Sequence, residues 1–76
     1  MTFLLRPGVP LYAAQLHARA LEGWRAAARL VSVRWDGVLI ADRACRDDAF
    51  AAYLLALDAE AAAAAELADL RLREAA

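Results

Sequence analysis

The dipeptide Asp36-Gly37, placed between two short stretches of alternating apolar residues, constrains the fold of this chain more than any other feature. The apolar positions that alternate around it are Val31, Val33, Trp35, Val38 and Ile40. Asp-Gly favours a type I′ turn, which joins two antiparallel strands and needs a positive φ at both central residues. Such a turn fixes the register and places these apolar side chains on one face. The sequence therefore predicts a β-hairpin with one core face, and it leaves Leu39 on the other.

Helical periodicity flanks the predicted hairpin on both sides. In the first half, Tyr12, Leu16, Ala20 and Trp24 repeat every four residues, which predicts a helix from residue 11 to about residue 29. A spacing of three and four predicts a second helix from about residue 46. Its apolar stripe is Phe50, Leu54, Leu57, Ala61, Ala64 and Ala68, and it ends at Arg71. The expected fold is α+β: helix, two-stranded antiparallel β-hairpin, helix.

The first ten residues predict an extended N-terminal arm. Pro7, Gly8 and Pro10 follow a short apolar segment and disfavour a continuous helix. The chain is thereby divided into an arm, residues 1–10, and a single helix-hairpin-helix domain, residues 11–76. An extended apolar segment can add to the sheet edge or groove of a neighbouring subunit. The candidate interface residues of the arm are Phe3, Leu4, Leu5 and Arg6.

A chain of 76 residues forms a small core of limited stability. Cys45 is the single cysteine and His17 the single histidine, so neither a disulfide within the chain nor a structural His/Cys metal site is expected. Association with other chains is the remaining source of stability. The alanine-rich second half of the second helix is accordingly expected to project or to bind a partner.

The charges are segregated along the chain, although the net charge is only −1. Residues 1–46 contain seven arginines and three acidic residues, a charge of +4, whereas residues 47–76 contain two arginines and seven acidic residues, a charge of −5. Oppositely charged halves are able to provide two complementary surfaces for a head-to-tail contact between subunits. The further candidate interface residues are Arg19, Arg25, Arg34, Leu39, Asp58, Glu60, Glu66 and Asp69.

Residue patterns typical of catalysis are absent from the sequence. His17 has no orienting partner nearby, and Cys45 has no neighbouring histidine or second cysteine. Asp47 and Asp48 fit the positive end of a helix dipole and are too few to hold a hard cation. We expect a protein that is not an enzyme and has no cofactor, no metal and no small-molecule substrate. No apolar stretch is long enough to predict a membrane span, so synthesis in the cytoplasm is expected.

The arginines of the first half admit two interpretations. Arg19, Arg25, Arg29 and Arg34 are able to contact nucleic-acid phosphates without reading sequence. They also suit an acidic surface on a neighbouring subunit, and no aromatic stacking platform accompanies them in the predicted fold. Whether they meet DNA or protein stays open at this point.

The segment from residue 29 to residue 37, followed by a second strand and a helix with Phe50 and residues 53–57, resembles the head-to-tail joining protein W family of lambda-like tailed phages. The resemblance implies a virion structural protein whose copies form a ring under the portal at the head-tail junction. It also implies contacts with the portal, with further connector or tail proteins, and with DNA in a channel. The alternatives are a phage tail or fibre accessory domain, or a small regulatory module that binds DNA or a host protein.

Overall fold

The computed structural model of the protein describes the backbone of residues 2–75 and the side chains of residues 11–75. In this range the chain forms two helices, α1 (Thr2–Ile40) and α2 (Arg46–Ala75). The helices are antiparallel, because Trp35 contacts Tyr53 close to the connecting turn and His17 approaches Glu74 far from it. The protein is therefore an elongated helical hairpin with extents of 66 × 19 × 12 Å.

The predicted β-hairpin is wrong, because residues 31–40 belong to α1 and the described residues contain no strand. The same apolar residues also fit a helical period, since Val31, Trp35 and Val38 are separated by four and then three residues. Gly37 does not have a positive φ, so Asp36-Gly37 continues the helix instead of forming a turn. The α+β fold class is replaced by an all-α hairpin.

The chain reverses direction at residues 41–45 instead. The backbone N–H of Cys45 donates hydrogen bonds to the carbonyl oxygen of Asp42 at 3.1 Å and to its carboxylate Oδ1 at 3.0 Å. The N–H of Ala49 donates to the carbonyl of Cys45 at 2.9 Å, which closes the first turn of α2. Asp42 is thus a turn residue, in keeping with the preference of aspartate for bonding the backbone a few residues on.

The second predicted helix is confirmed. It begins at Arg46, where the sequence predicts it, and Asp47 and Asp48 lie in its first turn. Their negative charge is favourable beside the unpaired N–H groups at that helix end. The predicted first helix, residues 11–29, is also helical, but it continues to Ile40.

The bounds of α1 include residues 2–10, for which the sequence predicts an extended arm. That prediction depends on Pro7 and Pro10, each of which lacks the N–H needed for a helical hydrogen bond. The side chains of residues 1–10 lie outside the described residues. The interface roles of Phe3 through Arg6, and a domain boundary after residue 10, therefore stay predictions.

The core of the hairpin is a narrow strip between the two helices. Among residues 11–75, the buried side chains are those of Ala20, Ala56 and Leu67. Alanines recur at seven-residue intervals along the contact, and all of them are at least partly buried. They are Ala13, Ala20 and Ala27 in α1, and Ala49, Ala56 and Ala63 in α2. Side chains this small let the helices approach closely but remove little apolar surface from water.

The Gly37→Ala variant distinguishes the helix from the predicted turn. We expect it to raise the free energy of unfolding by about 0.5–1 kcal/mol, because alanine is preferred to glycine inside a helix. An added Cβ at Gly37 would meet no atom within 4 Å. A type I′ turn predicts the opposite sign, since alanine disfavours a positive φ. Urea unfolding followed by circular dichroism measures the change.

Gly23→Ala is the matched control for this variant. Gly23 also lies inside α1, and an added Cβ there is equally unobstructed. We expect a gain of the same size. A gain at Gly23 combined with a loss at Gly37 would contradict a continuous α1.

Candidate interaction surfaces

A hairpin of two helices has two broad faces, one on each side of the plane that contains the helix axes. Positions seven or fourteen residues apart lie on the same side of a helix that packs with a seven-residue repeat. Two groups of contacting side chains at different distances from the turn therefore belong to one face when their positions differ by seven or fourteen residues. The two faces of this protein differ in composition.

The first face carries four of the five aromatic side chains among residues 11–75. Trp35 packs against Tyr53 with ring centroids 5.0 Å apart, and Tyr53 lies 5.9 Å from Phe50. Two heptads farther from the turn, Leu21 and Trp24 line a groove with Arg71 and other residues of α2. We call this surface the aromatic face. It comprises Trp24, Trp35, Phe50, Tyr53 and Arg71, and also Leu54, which lies two heptads before Ala68 of the same groove.

The aromatic face is partly open to solvent in the single hairpin. Trp35 keeps 41% of its surface exposed, and Phe50 and Leu54 each keep 45%. Leu39, which follows Trp35 by one helical turn, is exposed as well. Contiguous apolar surface of this kind marks interaction sites in soluble proteins. The aromatic face is thus the leading candidate for a binding surface.

The opposite face carries more charge. Gly23, Ala27 and Ala59 form the floor of a long groove, with Arg19 and Glu66 beside them. Nearer the turn the groove continues past Arg34, Gly37, Ala49 and Ala52. We call this surface the alanine face; it comprises the residues named in this paragraph. Val33 and Ile40 also line this groove near the turn, and both are exposed. The charged groups of this face would have to lose water on burial.

The predicted interface residues are spread over the hairpin and do not form one cluster. Arg19, Arg34 and Glu66 lie on the alanine face. Leu39 is exposed near the end of α1, and Glu60 is partly buried beside α1. The remaining members with described side chains are exposed: Arg25, Asp58 and Asp69. The sequence thus identified exposed charges, but it did not identify the aromatic face.

The two helices have opposite net charges. The sequence of α1 contains five arginines and two acidic residues, a charge of +3, and that of α2 contains three arginines and seven acidic residues, a charge of −4. Among the described residues, one titratable pair joins the helices: Nδ1 of His17 lies 3.8 Å from Oε1 of Glu74, and the two form an ion pair only when His17 is protonated. The other pairs, Arg29–Glu22 at 3.2 Å and Arg73–Asp69 at 3.1 Å, each lie within one helix. Most of the complementary charge is therefore available to a partner.

His17 and Cys45 carry the most reactive side chains of the described chain. The Nδ1 atom of His17 is buried and accepts or donates no hydrogen bond among the described residues, whereas Cys45 is exposed in the turn. The length of α1 between them separates the two residues by more than about 30 Å. They therefore do not belong to one site. No group of three metal-binding side chains occurs in the part of the chain that the structure describes.

Neither α1 nor α2, over the residues described, is long and apolar enough to cross a membrane. Comparisons with protein-family models, with curated proteins and with solved structures found no match to this chain. The segment that carries the resemblance to the phage joining proteins, residues 29–37, is helical in this structure. The function is therefore argued from the two faces of the hairpin.

Proposed function

We propose that this protein is a non-catalytic assembly module, a helical hairpin that completes its hydrophobic core by packing against another protein surface. One observation carries the proposal. Among residues 11–75 the hairpin buries Ala20, Ala56 and Leu67, two of which are alanines, while eleven large hydrophobic side chains are exposed. A hairpin with so few buried and so many exposed large hydrophobic side chains becomes more stable when another protein surface covers the exposed ones.

The energetics of small domains support the same conclusion. Ordering costs roughly 1.5 kcal/mol per residue, and a core below about 80 residues rarely leaves a net stability above 3–5 kcal/mol. An isolated hairpin with an alanine seam falls at the low end of that range. Covering one face adds about 25 cal/mol for each Å² of apolar surface removed from water. Association is therefore the main available source of further stability.

The connector function predicted from the resemblance also depends on assembly, and it stays a prediction. Its expected ring contacts assume a sheet at residues 31–40, where α1 is helical. A nucleic-acid function has less support, because Glu66 lies beside Arg19 on the alanine face and interrupts a basic surface. We therefore propose assembly through helix packing and assign no place in a virion.

Sedimentation equilibrium and thermal unfolding at several concentrations test the proposal. We expect a mass above the 8.2 kDa of the chain and a melting temperature that rises with concentration, because association stabilises the folded state by mass action. A chain that melts only when a partner is added would support the same proposal. A mass of 8.2 kDa with a cooperative melt independent of concentration would show a hairpin stable alone and would contradict it.

A further inference from the structure

We infer that the partner of this hairpin is a second copy of the same chain, joined through the two aromatic faces into a four-helix bundle with both turns at the same end. The inference rests on the proposed function and adds to it the partner, the face and the orientation. Each of these three elements follows from a different property of the hairpin.

The composition of the two faces selects the aromatic face. Trp35, Phe50 and Leu54 are already about half desolvated, and covering the aromatic face removes further apolar surface, with Arg71 as the one charged member of that face. Aromatic side chains at the centre of an interface contribute a large share of binding energy. On the alanine face, Arg19 and Glu66 would lose water, and the burial of charged groups is costly even when they are paired.

The opposite charges of the two helices favour a second copy as the occupant. A symmetric dimer uses the same surface of both copies, so that surface must be complementary to itself. The summed charges of the helices, +3 on α1 and −4 on α2, meet that requirement when α1 of each copy lies over α2 of the other, although Arg19, Arg34 and Glu66 lie on the outer alanine face. Every helix then has a neighbour of opposite charge in the other copy.

The same charges select one of the two possible symmetry axes. A twofold axis parallel to the helices places α1 over α2, antiparallel, with both turns at one end of the bundle. A twofold axis perpendicular to the helices and lying between the faces places α1 over α1 and α2 over α2, with the turns at opposite ends. The second arrangement brings like charges together, which is unfavourable for association. Both arrangements make all neighbouring helices antiparallel, as in four-helix bundles with short loops, so the charges alone distinguish them.

Cys45 provides a direct measurement of this orientation. It is exposed in the turn, and it is the single cysteine of the chain, so a spin label can be attached without any substitution. With helix spacings of about 8–10 Å, turns at one end place the two labels about 20 Å apart. Turns at opposite ends place them about 45 Å apart, because thirty helical residues span that length.

Double electron-electron resonance on the full chain labelled at Cys45 therefore tests the inference. We expect one distance near 20 Å. A distance near 45 Å would overturn the orientation, and a mass of one chain without dipolar modulation would overturn the second copy. An associated protein whose labels show the long distance would leave the proposed assembly function intact, so the two failures are distinguishable.

The adjacent residues Leu54 and Leu55 give a matched pair of variants for the face. Leu54 lies on the aromatic face, whereas Leu55 is 70% exposed and points about 100° away on the same helix. We expect Leu54→Glu to raise the dimer dissociation constant about 100-fold, because dimer formation would bury the new glutamate carboxylate in an apolar interface. Leu55→Glu is expected to change it less than about 3-fold, with both variants keeping the helical circular dichroism of the parent.

The reverse result would place the interface elsewhere. If Leu55→Glu dissociates the protein and Leu54→Glu does not, the copies meet through another face, which overturns this inference but retains the proposed function. If neither substitution changes the dissociation constant, the aromatic face is not the interface.

Discussion

The Leu67→Ala variant is expected to lose about 2–3 kcal/mol of unfolding free energy, a large part of the stability that a domain of this size has. Leu67 is 8% exposed and lines the groove with Leu21 and Trp24, so its removal leaves space between the helices. Alanine favours helix at least as well as leucine, and the loss therefore reports packing. The melting temperature should fall by about 10–20 °C in a calorimetric scan.

Leu55→Ala is the control for this measurement. It makes the same change in the same helix at a residue that is 70% exposed. We expect an effect within about 0.5 kcal/mol. Equal losses at Leu55 and Leu67 would contradict the placement of Leu67 in the seam between the helices.

The Ala56→Asp variant is expected to lose about 3 kcal/mol or more of its free energy of unfolding, so that the hairpin is unfolded at about 25 °C. Ala56 is 4% exposed, the least of the three buried residues. A carboxylate at that point would lose its water between two helices that approach closely, and an unpaired buried charge is among the most destabilising changes in a core. The measurement is the helical circular dichroism signal, which should fall towards that of an unfolded chain.

Ala62→Asp separates this effect from the lower helix propensity of aspartate. Ala62 lies in α2, six residues after Ala56, and is exposed. The expected loss is less than about 1 kcal/mol, from helix propensity and from nearby acidic residues. A comparable loss in both variants would show that α2 does not present Ala56 to α1.

The second helix could be predicted from sequence because its signals are local and strong. The acidic pair Asp47-Asp48 marks its beginning, and a long alanine-rich stretch has high helix propensity. The stripe predicted through Phe50 and Leu54 also lies on one face of the hairpin. That face is a binding surface in our proposal, whereas the sequence suggested a core covered by a sheet.

The β-hairpin prediction failed because its pattern was too short to determine a period. Alternation over five residues on either side of Asp36-Gly37 is also compatible with a helix, in which Val31, Trp35 and Val38 share a side. No strong stop signal separates Arg29 from Val31, and packing of Trp35 on Tyr53 compensates for the lower helix propensity of the β-branched residues and glycine. Tertiary contact therefore outweighed a local turn preference.

The aromatic face was not predicted because of the same error. Once Trp35 was assigned to a sheet, its relation to Leu21, fourteen residues earlier on the same helix, was not visible. The seven-residue repeat through Ala13, Ala20 and Ala27 is the sequence signal that indicates a helix-packing seam. The charge segregation, in contrast, was evident in the sequence, and it now falls on separate helices.

Backbone nuclear magnetic resonance over residues 31–40 is the most direct test of the helical hairpin on which both proposals depend. The account predicts helical Cα chemical shifts in an unbroken run to Ile40, with amide-to-amide contacts between Asp36 and Gly37. Extended shifts at Val31 and Val33, together with contacts across a turn between Trp35 and Val38, would contradict it.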